Sequence, residues 1–162
     1  MDKILQRLLD DKFSELTGLT VDASIPLSEQ LVNEFVGVTL KGNKTITEFY
    51  VAIHSANKIA VNLKTSLWPL PINLKLRLEP SVDLTNGARV RASLENFALL
   101  GKLGAIFNAF PHGIMMEEDQ VVIDVQSFLK EPEQRKWLDL VQSLEIKTEE
   151  ARIVFDVKIA VE

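Results

Sequence analysis

Polar and apolar residues alternate along Leu19–Ile25 (LTVDASI), which predicts a strand closed by Pro26. Ser28 then opens a short amphipathic helix, SEQLVNEFV. Ser28 caps it, and Leu27 is placed to pack on Val32 as a hydrophobic staple. Gly37 and the Gly42-Asn43-Lys44 group punctuate the chain between this helix and the next strand. From Thr45 to Glu95 the period stays at two and predicts two hairpins. Phe49, Val51 and Ile53 alternate with Glu48, Tyr50 and His54; Ala56-Asn57 is the expected turn, and Ile59, Val61 and Leu63 return. Trp68-Pro69-Leu70-Pro71 reads as a break. The next strand sets Ile72, Leu74, Leu76 and Leu78 on one face and Asn73, Lys75, Arg77 and Glu79 on the other. Asn86-Gly87 signals a tight turn, because both positions favour positive φ, and Val90, Ala92 and Leu94 come back opposite Arg89, Arg91, Ser93 and Glu95. Alternation this strict gives one buried and one wet face, the mark of an antiparallel sheet.

At Phe97 the period changes. Phe97–Phe110 (FALLGKLGAIFNAF) is apolar nearly all round and predicts a buried helix stopped by Pro111 and Gly113. Gly101 and Gly104 would weaken it unless something approaches closely there. The remainder repeats a unit: GIMMEEDQVVIDV (Gly113–Val125) aligns without gaps on EIKTEEARIVFDV (Glu145–Val157). Ile114, Glu117, Glu118, Val122, Asp124 and Val125 recur as Ile146, Glu149, Glu150, Val154, Asp156 and Val157. Each copy reads as strand, acidic turn and strand, and each comes after a helix, Phe97–Phe110 or Pro132–Val141. Pro132 suits a first helical position, with Glu131 and Glu133 near the positive end. The blocks 97–125 and 132–157 are therefore a repeated helix-plus-hairpin unit. The first residues, 1–17, form an amphipathic helix with Ile4, Leu5, Leu8, Leu9, Phe13 and Leu16 on one side. Its net charge of −1 disfavours anionic lipid and favours packing against the protein's own sheet. Together these elements predict an α+β fold. A long, curved antiparallel sheet is packed on one face by amphipathic and apolar helices, in a single domain over 1–162.

Composition narrows the chemistry. Apolar residues make up 46% and charged residues 25% of the 162, an ordinary globular balance. The chain has no cysteine, which excludes a disulfide framework, a zinc-thiolate cluster and a thiol nucleophile. A net charge of −5 argues against nucleic acid as a partner. No stretch approaches the length of a transmembrane helix. The start has no signal-peptide pattern, so the chain as written is cytoplasmic; an envelope location stays open if a signal was removed. No phosphate-binding loop, dinucleotide fingerprint, nucleophile elbow or zinc-protease motif is present. His54 and His112 are far apart, and Glu117-Glu118-Asp119 lacks the ligand spacing of a calcium loop, so no metal and no cofactor is expected. Asp124 and Asp156 are expected to face solvent or to pair with Lys or Arg across the sheet.

Two groups of residues stand out as candidates. Lys75, Arg77, Arg89 and Arg91 share one outer face if Asn86-Gly87 closes the hairpin, a stripe for an anionic partner or a solubilising face. Phe97, Leu100, Leu103, Ile106, Phe107, Phe110 and Met115, facing Leu74 and Leu76 of the sheet, are the candidate lining of an apolar site; a plain core is the competing reading.

The segment Ile25-Pro26-Leu27-Ser28-Glu29-Gln30-Leu31-Val32-Asn33, the amphipathic hairpins after it and the apolar helix leading to a Pro-Gly turn resemble small bacterial YceB-like proteins. That group is similar to the tubular lipid-binding (TULIP) superfamily. The resemblance covers about Leu19–Val125. It implies a highly curved sheet wrapped round a helix, and binding or transfer of a lipid-like ligand without catalytic residues. YceB-like proteins typically carry an N-terminal Cys for lipid attachment, and this chain has none. The leading expectation is non-enzymatic binding of an apolar or lipid-like molecule between the sheet and the 97–110 helix, with peripheral membrane contact left open. The alternatives are a solid-core protein-interaction or structural module and a hydrolase with an unrecognised site.

Overall fold

The computed structural model describes residues 20–85, 87–96, 104, 106–129 and 131–160. The expected helix at 1–17, and Phe97, Leu100, Gly101 and Leu103 of the expected apolar helix, lie outside the described residues. Within them the fold is α+β, with strands in two antiparallel sheets. Strands β1 (Thr20–Ser28), β8 (Val141–Glu149) and β9 (Arg152–Ala160) form a three-stranded sheet in the order β1-β9-β8. Strands β2 (Ile46–His54), β3 (Lys58–Thr65), β4 (Trp68–Leu78), β5 (Arg89–Leu94), β6 (Ile114–Glu117) and β7 (Gln120–Asp124) form a six-stranded one in the order β2-β3-β4-β5-β7-β6. Among the described residues the helices of defined extent are α1 (Glu29–Thr39), α2 (Pro132–Leu140) and a 3-10 turn at Val125–Phe128.

The strand with the cleanest alternation is the centre of the core. Along β4, Ile72, Leu74, Leu76 and Leu78 are all buried and the residues between them are exposed. Val51 and Ile53 of β2, Val61 and Leu63 of β3, and Ala92 and Leu94 of β5 join them on the same face. Ile106 closes over this face at 1% exposure, and Phe107, Phe110 and Leu138 of α2 pack against it.

Several boundaries differ from the sequence expectations. β1 runs through Pro26 to Ser28. The strand tolerates the proline because β9 is its only partner among the described residues, which leaves the other side free for a residue without an N–H. Likewise β4 begins at Trp68 and takes in Pro69 and Pro71. The α1 helix passes Gly37 and ends at Thr39, capped by Ser28, whose Oγ accepts the Leu31 N–H at 3.2 Å. The β2–β3 turn falls at Ala56-Asn57 as expected, both with φ of 60°.

The register of β4 with β5 is a larger difference. A two-residue turn at Asn86-Gly87 would set Leu78 opposite Glu95; the observed partner is Ala92. Residues 80–82 leave the hairpin and pair with the other sheet: Ser81 bridges Glu145, Val82 N–H donates to Leu144 O at 2.9 Å, and Ile146 N–H donates to Pro80 O, before Asp83 returns to bridge Arg89 of β5. The expected single sheet is thus two sheets joined by this strap.

Asn57 is the second joint. Its Oδ1 accepts the Thr148 N–H at 2.9 Å and its Nδ2 donates to Ile146 O at 3.0 Å, while Thr148 Oγ1 accepts the Asn57 N–H at 2.7 Å. The repeat is real at the level of hairpins, with Glu117 opposite Gln120 and Glu149 opposite Arg152, but the copies join different sheets. Their turns also differ: positive φ falls on Glu118 in one and on Ala151 in the other. The turn ahead of β6 needs its glycine, because Gly113 has φ of 107° and an added Cβ would lie 2.7 Å from that of Ser127. At Gly104 no such constraint exists, since a Cβ there would meet nothing within 4 Å.

Candidate functional site

An exposed strand edge invites pairing with other chains and is normally blunted. The edge of β2 is covered by α1. Asn33 Oδ1 accepts the Val51 N–H at 2.7 Å and its Nδ2 donates to Val51 O at 2.8 Å, so one amide side chain stands in for a neighbouring strand. One turn earlier, Glu29 Oε2 accepts the Ile53 N–H at 2.9 Å, and its other oxygen accepts from the Tyr50 hydroxyl. These two donors hold the Glu29 carboxyl below its ordinary value, the Ile53 amide contributing most, and the same contact raises the Tyr50 phenol. Ala151 of the β8–β9 turn completes the seal by donating its N–H to Ile53 O at 2.9 Å. The β8 edge is met by the 80–82 strap.

The β1 edge has no such cover among the described residues, and the apolar face beside it is unusual. Register puts Val21, Ala23, Ile25 and Leu27 of β1 beside Ile159, Val157, Phe155 and Ile153 of β9. The same row continues into Val141, Leu144, Ile146 and Thr148 of β8. Burial falls steadily across this face. Ile146 is 2% exposed, the β9 residues are half-buried, and Val21 and Ile25 are 42% and 49% exposed. The face is therefore core at β8 and open at β1.

The reverse face is mostly polar, with Val154 buried on it. Ser24 Oγ donates to Asp156, which also pairs with Lys147 at 3.6 Å. Asp156 thus pairs across the sheet as expected. Its repeat partner Asp124 caps the 3-10 turn after β7 instead, accepting the Gln126 N–H at 3.2 Å. An open depression of about 340 Å³ lies against this polar face, bordered by Asp22, Ser24, Glu145, Asp156 and Lys158. A second, of about 370 Å³, lies where the strap meets β8, bordered by Val82, Leu84, Ser143 and Leu144.

The sequence candidates fall elsewhere. Leu74, Leu76 and Ile106 are buried in the packed core, with Phe107 and Phe110 against it; Phe110 also meets Phe49 edge to face at 5.9 Å. Met115 is not with them. It pairs with Val122 on the opposite face of the sheet, where Val122 is itself fully buried, and its neighbour Met116 is the one that packs against the core. None of these residues borders either depression. Lys75, Arg77, Arg89 and Arg91 do share the outer face of the six-stranded sheet. Carboxylates are interleaved with them: Arg77 pairs with Glu95 at 3.3 Å, Arg91 with Glu117 at 2.9 Å, and Asp83 lies within electrostatic reach of Arg91 and Arg89. Glu117 raises the Arg91 guanidinium, and the Thr85 hydroxyl and N–H lower the Asp83 carboxyl. His54 lies 3.4 Å from Glu150, and His112 is exposed.

Sequence reasoning missed the open face of β1. Its alternation was visible, but the edge position that leaves it uncovered depends on long-range pairing. Comparisons with protein-family models, curated proteins and solved structures give no match, so the functional reading rests on this geometry.

Proposed function

We propose that the protein is a non-enzymatic binding module for an apolar or lipid-like ligand, held against the apolar face of the three-stranded sheet. One observation carries the reading: an unbroken apolar face over three strands whose burial fades from Ile146 to Val21 and Ile25. Contiguous exposed apolar surface usually marks a binding surface. Covering it would gain roughly 25 cal/mol per Å² removed from water, without any specific polar chemistry. The YceB-like and TULIP-like resemblance of Leu19–Val125 implies the same class of ligand. The site moves relative to the sequence expectation, from beneath the 97–110 helix to the β1 side, because Leu74, Leu76 and Ile106 are already in contact with protein.

The test is native mass spectrometry of freshly purified protein, with solvent extraction of the same sample. Excess mass lost on denaturation, a lipid in the extract, and loss of both in Ile25→Asp support the reading. A bare protein mass that stays bare after incubation with fatty acid overturns it.

A second reading has its own observation. The interior of the six-stranded sheet is filled, with Leu63, Leu94 and Ile106 each at 1% exposure. A solid core suits an interaction module, in which the β1 face would meet a protein rather than a lipid.

A further inference from the structure

A second exposed apolar patch occupies the opposite end of β2. The α1 helix runs antiparallel to β2, since Glu29 meets Ile53 and Asn33 meets Val51, so the last turn of α1 lies toward Ile46. From there the backbone is tied to the β3–β4 turn. Lys41 N–H donates to Val38 O, and Asn43 N–H donates to Leu40 O at 3.0 Å. Asn43 Oδ1 accepts the N–H groups of Thr45 and Ile46, both at 2.9 Å. Ser66 N–H then donates to Thr45 O at 2.8 Å. One end of the molecule thus gathers Val38, Leu67, Trp68 and Leu70, exposed by 75%, 56%, 36% and 67%.

Turn tips in contact with water alone favour Gly, Asn, Asp and Ser. This one is Ser66-Leu67, followed at the start of β4 by Trp68-Pro69-Leu70-Pro71, whose two prolines restrict the backbone on either side of Leu70. The charge around it is also atypical. The segments 38–48 and 62–72 hold Lys41, Lys44 and Lys64 against Glu48 alone, in a chain of net charge −5. Glu48 pairs with Lys64 at 3.2 Å; Lys41 and Lys44 are exposed beside the tip. Apolar side chains that include Trp, ringed by lysines, match the boundary between anionic headgroups and acyl chains.

We propose that this end docks on an anionic lipid surface. Leu67, Trp68 and Leu70 enter the headgroup–acyl boundary, and Lys41 and Lys44 meet the headgroups. This goes beyond the ligand reading and does not depend on it, because the two surfaces lie at opposite ends of β2.

The experiment is cosedimentation with phosphatidylcholine vesicles with and without phosphatidylglycerol. The full chain should sediment with the phosphatidylglycerol vesicles and be released by salt. Leu67→Asp combined with Leu70→Asp should weaken binding by about tenfold or more. Lys41→Glu combined with Lys44→Glu should remove the preference for phosphatidylglycerol, whereas Lys75→Glu, on the middle of the sheet, should change nothing. All are exposed positions, so unchanged thermal melts keep the comparison clean. Absence of wild-type sedimentation, retained binding by the leucine variant, or equal loss in Lys75→Glu would overturn the proposal. Vesicle binding by a protein that carries no ligand would leave this proposal standing and remove the ligand reading; the reverse result would do the opposite.

Discussion

The six-stranded and three-stranded sheets are written in the same alternating code and have opposite fates. In β4 the apolar members of the pattern from Ile72 to Leu78 are all buried, and only Trp68 and Leu70, at the start of the strand, are exposed. In β1 nearly every residue is exposed, apolar and polar alike. The β4 strand is central, with β3 and β5 on either side and Ile106 against its apolar face. The β1 strand is an edge with one neighbour. Alternation therefore states which face is apolar; position in the sheet order decides whether that face is core or surface. The binding proposal depends on this difference, and it can be attacked from both sides.

The largest effect should come from the filled side. Leu63→Ala or Leu94→Ala should cost about 2–5 kcal/mol, because each removes buried volume from a packed centre. Chemical denaturation measures it. A loss below about 1 kcal/mol would mean that the interior has room to relax, and the ligand site would return to the region of Leu74 and Leu76. The joint between the sheets comes next. Asn57→Ala should cost about 2 kcal/mol, since it strands the Thr148 N–H and Ile146 O and puts an alanine at φ of 60°. If the two sheets melt together in the wild type and separately in this variant, Asn57 is what couples them.

The blunted edge and the open one can be compared directly. Asn33→Ala exposes the Val51 N–H and C=O on β2 and should cost about 1 kcal/mol, with faster hydrogen exchange at Val51. On the open face, Ile25→Asp should change stability by only about 0.5 kcal/mol, because Ile25 is 49% exposed. It should nevertheless abolish ligand retention. Stability loss on the scale of Leu63→Ala would show instead that Ile25 is core, and the open face would no longer be a candidate site.

Much of the architecture was readable from the chain. The hairpin around Ala56-Asn57, the Ser28 cap, the alternation of β4 and the repeated hairpins all rest on local chemistry, and local chemistry is what a sequence displays. The errors share a different cause. Pro26 and the Trp68–Pro71 run looked like breaks because a proline is unwelcome in a central strand; both lie where a ladder hydrogen bond is dispensable. The register after Asn86-Gly87 slipped because residues 80–82 answer to β8, far downstream in the chain. Met115 was the candidate and Met116 its neighbour, and only the pairing of β6 with β7 decides which faces inward. The apolar face of β1 and β9 was legible as a pattern. Its exposure was not, since edge status belongs to the sheet order.

The smallest predicted effect tests how the β2 edge is held closed beside that open face. Glu29 is ionised below its ordinary value of 4.5 because the Ile53 N–H and the Tyr50 hydroxyl both donate to its carboxylate. A carboxyl depressed in the folded state stabilises fully above its unfolded pKa and loses that contribution as pH falls through the folded value. Glu29→Gln should therefore lower stability slightly at neutral pH, by under about 1 kcal/mol at so exposed a site. The gap to wild type should narrow as pH drops below 4.5 and close once the wild-type carboxyl is protonated. Tyr50→Phe should shrink the same pH-dependent difference, because it removes one of the two donors. Thermal melts of the three proteins between neutral and acid pH measure this. A gap that persisted unchanged at low pH would mean that Glu29 acts through its shape and packing; its charge would then have no part in sealing β2.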